Sequence, residues 1–73
     1  MKYKIGDKVL IANHDEIGRV TVVSKNKLNN TIATIKDYGW AKGQYVIEED
    51  DTFYWYDDEF VGKIVGNKII KGE

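Results

Sequence analysis

Tyr45-Val46-Ile47-Glu48-Glu49-Asp50-Asp51-Thr52-Phe53-Tyr54-Trp55-Tyr56-Asp57-Asp58-Glu59-Phe60 decides how this chain is read. It splits into a strand over Tyr45–Glu49, a turn at Asp50-Asp51-Thr52, a strand over Phe53–Tyr56 and a short polar stop. Period-two alternation sends Phe53 and Trp55 to one face and Tyr54 and Tyr56 to the other. Asp57 is placed to cap a single helical or 3₁₀ turn, because its short carboxylate can accept the orphan N–H groups that follow. Phe60 then falls back onto the core. The stretch holds six of the chain's nine aromatic residues and seven of its twelve acids.

The flanking sequence reads as further strands. Val9 and Ile11 share a face by period two, and Gly6-Asp7 is a turn pair ahead of them. Asn13–Glu16 is a polar loop. The β-branched run Arg19–Lys25 after Gly18 predicts a second strand, and Thr31–Lys36 a third, hairpinned back on it across the turn residues Asn26–Asn30. Asp37–Gly43 is a loop carrying Tyr38 and Trp40. The expectation is that both fold under it as a lid on the core; the alternative is that they stand out to meet a partner. Gly66-Asn67 between Lys63-Ile64-Val65 and Lys68-Ile69-Ile70 is a two-residue hairpin signal. No segment keeps an apolar helical period over three turns. The expected core is Val9, Ile11, Val20, Val22, Ile35, Ile47, Trp55 and Phe60.

Seventy-three residues bound the chain to one domain, 1–73. A domain this short buries only about 60% of its unfolded surface. With no Cys and one His, neither a disulfide nor a zinc staple is available, so aliphatic and aromatic packing must hold it. The lack of Cys suits a reducing cytoplasm, the expected location. The basic start is interrupted by Asp7 and Lys8, so no targeting segment is expected. The longest apolar run, Val9–Ala12, is far short of a membrane span. Asn29-Asn30-Thr31 matches a glycosylation sequon and is read as a polar turn.

The net charge of −1 hides an uneven distribution. Residues 1–47 carry eight basic and four acidic groups, residues 48–59 seven acids and no base, and residues 60–73 three lysines and one acid. The basic surplus usual in nucleic-acid binders is absent overall.

Lys4-Ile5-Gly6-Asp7-Lys8-Val9-Leu10-Ile11, followed by Ile17-Gly18-Arg19-Val20-Thr21-Val22-Val23, resembles the opening of SH3-like barrels of the KOW and Tudor type. Tyr45–Asp51 with Trp55–Phe60 is similar to the closing hairpin of small SH3-like proteins common in phages and mobile elements of low-GC bacteria. The resemblance implies an all-β, SH3-like barrel of five or six strands, with the hairpin at 61–71 as an addition to the minimal barrel. It also implies a binding module. The three acids after the aromatic strand depart from a phosphate-binding face.

Little in the chain suits catalysis. There is no phosphate-cradling glycine loop, and Ser24, His14 and an acid have no shared placement. His14 beside Asp15 and Glu16 is read as a solvated loop residue. Glu48–Asp51 lacks the spacing of a calcium loop. No cofactor, metal or enzymatic role is expected. The leading expectation is a protein-binding module using Trp40, Glu48, Asp50, Asp51, Tyr54 and Tyr56 on a partner with a basic surface. The alternatives are a nucleic-acid binder using Lys8, Arg19, Lys25, Lys27 and Lys36, and an assembly component acting through edge strands.

Overall fold

Val9 and Ile11 point inward from β1 (Lys8–Ile11), and everything else is laid out around them. In this computed structural model, which describes residues 2–71, β1 pairs with β2 (Ile32–Tyr38) on one side and β5 (Phe60–Val65) on the other. β3 (Gln44–Ile47) pairs with β2, and β4 (Asp50–Tyr56) with β3. β6 (Lys68–Lys71) pairs with β5. The described residues are all-β: six antiparallel strands in the order β4-β3-β2-β1-β5-β6. Its described helical content is α1, one turn over Val23–Asn26, and a 3₁₀ turn over Asp57–Glu59.

Alternation builds the core as the sequence predicts. Val9/Ile11, Ala33/Ile35 and Tyr45/Ile47 are buried from successive strands, and Tyr3, Trp55 and Phe60 join them. Trp55 stacks on Phe60 at 6.2 Å between ring centroids, and Tyr3 meets Tyr45 and Phe60 edge-on. Such geometries let the positive ring edge meet the negative ring face. Register shifts interrupt the β1–β5, β2–β3 and β3–β4 ladders, where extra residues bend the strands.

Several expectations are corrected. No strand forms over Arg19–Lys25: Arg19–Val22 is irregular, and α1 follows. Val20 is 100% exposed and Val22 is exposed, so neither belongs to the core. β-branched residues favour a strand only where a pleated, half-buried surface receives them. Here Gly18 at φ 69° ends the turn that follows β1, and the chain crosses without a ladder partner to deliver Lys25 inward. β2 consequently pairs with β1 and β3.

The β3–β4 turn lies at Glu48-Glu49, because Ile47 faces Asp50. It does not lie at Asp50–Thr52. Phe53 does not share Trp55's burial: Trp55 is enclosed and Phe53 exposed. The 3₁₀ turn at Asp57–Glu59 forms as expected, with Tyr56 at the cap position in place of Asp57. The hairpin around Gly66-Asn67 also forms, with Val65 opposite Lys68. Asn30 takes a φ of 63° in the turn before β2, the conformation expected of that asparagine-rich segment.

Candidate functional site

At the start of β3 the chain leaves an open cleft of about 240 Å³ lined by Tyr38, Gly39, Trp40 and Tyr54. Gln44, unremarked in the sequence, shapes it. Its backbone C=O accepts from Gly39 N–H at 2.9 Å, and its Oε1 accepts from Ala41 N–H at 2.8 Å. Its Nε2 donates to the Tyr56 hydroxyl at 3.1 Å. Glycine is needed at 39: a Cβ there would lie 2.6 Å from Gln44 Cβ and 3.0 Å from Tyr54 Cδ1. The loop tightened in this way lifts Trp40 clear of the surface, where it is 91% exposed. Tyr38 is also exposed, although its ring touches that of Tyr45 at 6.1 Å. The expected lid on the core does not form.

Tyr54 and Tyr56 share a face but have different neighbours. Tyr54 lines the cleft. Tyr56 is exposed like Tyr54 but has a cation from within the chain on its ring: the Arg19 guanidinium lies 5.2 Å from the ring centroid, and Arg19 Nη1 is ion-paired with Asp58 Oδ2. The Tyr56 hydroxyl accepts from Gln44 Nε2, beside the cleft.

The acids do not form one strip. Gln44 faces Tyr56 at one end of the β3–β4 hairpin and Ile47 faces Asp50 at the other, so the acidic turn lies away from the cleft. Two of its carboxylates are structural. Asp50 Oδ2 accepts from Trp55 Nε1–H and Oδ1 from Thr52 N–H, each at 3.1 Å. Glu49 Oε1 accepts from Thr34 N–H at 3.0 Å. Glu48 and Asp51 are exposed and unencumbered by such contacts.

A buried polar centre lies beneath β4. Glu59 is fully enclosed, with Oε2 2.8 Å from His14 Nε2 and Oε1 3.0 Å from Lys25 Nζ. Tyr56 N–H also donates to Oε1, at 3.0 Å. Lys25 Nζ donates to the Tyr54 carbonyl at 2.6 Å and lies 4.7 Å above the Trp55 ring. His14 is buried, which corrects the solvated-loop reading. Its backbone N–H and its Nδ1 both contact Asn29 Oδ1. A backbone N–H can only donate, so that Asn29 atom is the amide oxygen, and Nδ1 carries the hydrogen. His14 and Glu59 are fully enclosed and Lys25 nearly so, and their contacts join the loop after β1, α1 and the 3₁₀ turn.

Two tyrosine hydroxyls are perturbed nearby. Burial, and then the Asp57 carboxylate, push Tyr45 from 10.0 up to about 12. Burial, then the charge of Asp57, also raises Tyr3.

The cations of the nucleic-acid alternative are not presented together. Lys25 is buried, a correction to its expected surface role, because Glu59 and the Tyr54 carbonyl draw its ammonium inward. Arg19 is engaged with Asp58 and Tyr56, and Lys8 Nζ donates to Thr34 Oγ1 at 2.5 Å. Lys27 and Lys36 are exposed. Among the described residues no group of three or more His, Cys, Asp or Glu side chains could hold a metal ion, and no helix is long and apolar enough to cross a membrane. No family model, curated protein or solved structure matches this chain.

Proposed function

We propose that this chain is a non-enzymatic protein-binding module whose contact surface is the Tyr38–Trp40–Tyr54 cleft. The carrying observation is Trp40, a large aromatic 91% exposed beside two exposed tyrosines. Interface anchors are enriched in Trp and Tyr because each removes a large amphipathic surface from water for few frozen torsions. Glu48 and Asp51 then act at a distance, steering a partner with a basic surface toward the hairpin. The sheet order, together with the Trp55-Tyr56 pair, the short turn and Phe60, supports an SH3-like barrel extended by the β5–β6 hairpin. The resemblance to small phage and mobile-element proteins suits an accessory role on a host factor in the cytoplasm. The test compares capture from a bacterial lysate by the wild-type chain and by Trp40→Ala. A partner retained by the first and lost by the second is expected, with unchanged circular dichroism. Equal capture by both would remove Trp40 from the contact surface.

A further inference from the structure

The outer edge of the sheet at β6 is chemically different from the edge at β4. Gly66-Asn67 joins β5 to β6, with Val65 opposite Lys68, Ile64 opposite Ile69, Lys63 opposite Ile70 and Gly62 opposite Lys71. Across a two-residue turn the flanking pair exchanges both hydrogen bonds, and the pattern alternates from there. Lys68 and Ile70 therefore aim their backbone groups at β5, while Ile69 and Lys71 aim theirs outward. β6 has no second strand neighbour among the described residues.

The β4 edge is partly occupied by the chain's own groups. Thr52 N–H donates to Asp50 Oδ1, the Tyr54 carbonyl accepts from Lys25 Nζ, and Tyr56 N–H donates to Glu59 Oε1. These residues alternate along the strand, as the outward-facing set of an edge does. An incoming strand finds its main-chain groups at β6.

We propose that the β6 edge takes up an extended acidic segment of a partner protein as a seventh strand, at a surface separate from the aromatic cleft. Main-chain bonds to Ile69 and Lys71 supply the pairing, as in other strand additions. The side chains specify the guest. Residues 60–71 hold three lysines, Lys63, Lys68 and Lys71, and no acid. None of the three forms an ion pair among the described residues. Val65, Ile69 and Ile70 lie exposed between them. Along β6 the order Lys68-Ile69-Ile70-Lys71 is complementary, position by position, to acid–apolar–apolar–acid, since directly opposed unlike charges and apolar pairs both stabilise a ladder. A second copy is disfavoured as occupant: pairing two β6 edges would set Lys68 and Lys71 of one chain against those of the other, and the acidic β4 strand has part of its own edge occupied.

The test uses the full chain and a synthetic peptide with Glu-Val-Val-Glu at its centre, against a Lys-Val-Val-Lys control. Binding of the first alone is expected, weakening as salt is raised, with amide exchange at Ile69 and Lys71 slowed at least about tenfold. Ile69→Pro should abolish it, since proline removes an outward N–H that the β5–β6 ladder does not use. Should that variant unfold, Lys68→Glu with Lys71→Glu is the second arm, and preference should pass to the lysine peptide. Trp40→Ala should leave peptide binding unchanged, which separates this surface from the cleft. Absence of binding, or binding indifferent to the charge reversal, would overturn the proposal. So would a dimer in sedimentation that Ile69→Pro dissolves, because a second copy would then be the occupant.

Discussion

Lys25 and Glu59, thirty-four residues apart in sequence, meet with Nζ 3.0 Å from Oε1 and both side chains buried. The contact ties the crossing segment after β1 to the 3₁₀ turn before β5. Lys25→Met would leave the Glu59 carboxylate buried with one cation removed and the Tyr54 carbonyl without its donor. Breaking a buried pair on one side costs about 3–5 kcal/mol. Small domains hold about 5 kcal/mol in total at the low end, so the variant should be largely unfolded by urea titration. Lys25→Met with Glu59→Leu should recover part of the loss, because the orphaned charge is gone while Tyr56 N–H and His14 Nε2 stay unpaired. Full stability in the single variant would show that the pair contributes nothing.

Trp55 and Trp40 should separate cleanly. Trp55 is enclosed, stacked on Phe60 and bonded through Nε1 to Asp50. Trp55→Ala should cost about 3–5 kcal/mol and abolish cooperative unfolding. Trp40→Ala should change stability by less than about 0.5 kcal/mol, as exposed substitutions do. Fluorescence of the Trp40→Ala chain then reports only a buried indole, with emission to the blue of the wild type. A cooperative, stable Trp55→Ala chain would contradict its place in the core.

Stability should fall in alkali through Tyr45. Its hydroxyl accepts from Tyr3 N–H at 3.1 Å and feels the Asp57 carboxylate. Its folded value stands at about 12 against 10.0. The folded state thus holds a proton that the unfolded chain releases first. The contribution is complete below about pH 10 and is lost as pH rises toward 12. Tyr45→Phe removes that titration at the cost of the hydrogen bond from Tyr3 N–H, so it should be less stable at neutral pH and lose stability less steeply above about 10. Tyrosinate absorbance followed alongside circular dichroism measures both. Identical alkaline slopes in the two chains would sink the assignment.

The legible parts of this fold are those set by local rules. Alternation placed Val9, Ile11, Ile35, Ile47 and Trp55 inward, and Gly66-Asn67 marked its hairpin. Val20 and Val22 mislead because their strand propensity has no facing strand to satisfy it. His14, Lys25 and Glu59 carry no local mark of burial: His14 and Lys25 meet Glu59 across forty-five and thirty-four residues. One short-range signal was present, the three-residue spacing from Tyr56 to Glu59, which allows a carboxylate to reach back to a cap N–H. Of the candidate site, Trp40 and Tyr54 come together at the cleft. The acidic turn lies at the other end of the hairpin, where it sits two residues earlier than the sequence suggests.

That shift decides how the acidic hairpin should respond to neutralisation. Glu48 and Asp51 are exposed, and like charges so close in a turn oppose folding by a few tenths of a kcal/mol. Glu48→Gln with Asp51→Asn should therefore be equal or higher in stability. Any basic partner should then associate more slowly with little change in dissociation, because exposed charge clusters act mainly on encounter. Asp50→Asn is a different substitution. Its two oxygens accept from Trp55 Nε1–H and Thr52 N–H. An amide offers one oxygen and two donors, so one of those N–H groups must lose its acceptor. With the amide oxygen kept on Trp55 Nε1–H, the exposed Thr52 N–H turns to water, and the net loss is about 0.5–1.5 kcal/mol. Thermal unfolding of Glu48→Gln/Asp51→Asn beside Asp50→Asn measures the contrast. Equal stability of both chains would show that Asp50 is a surface charge like its neighbours.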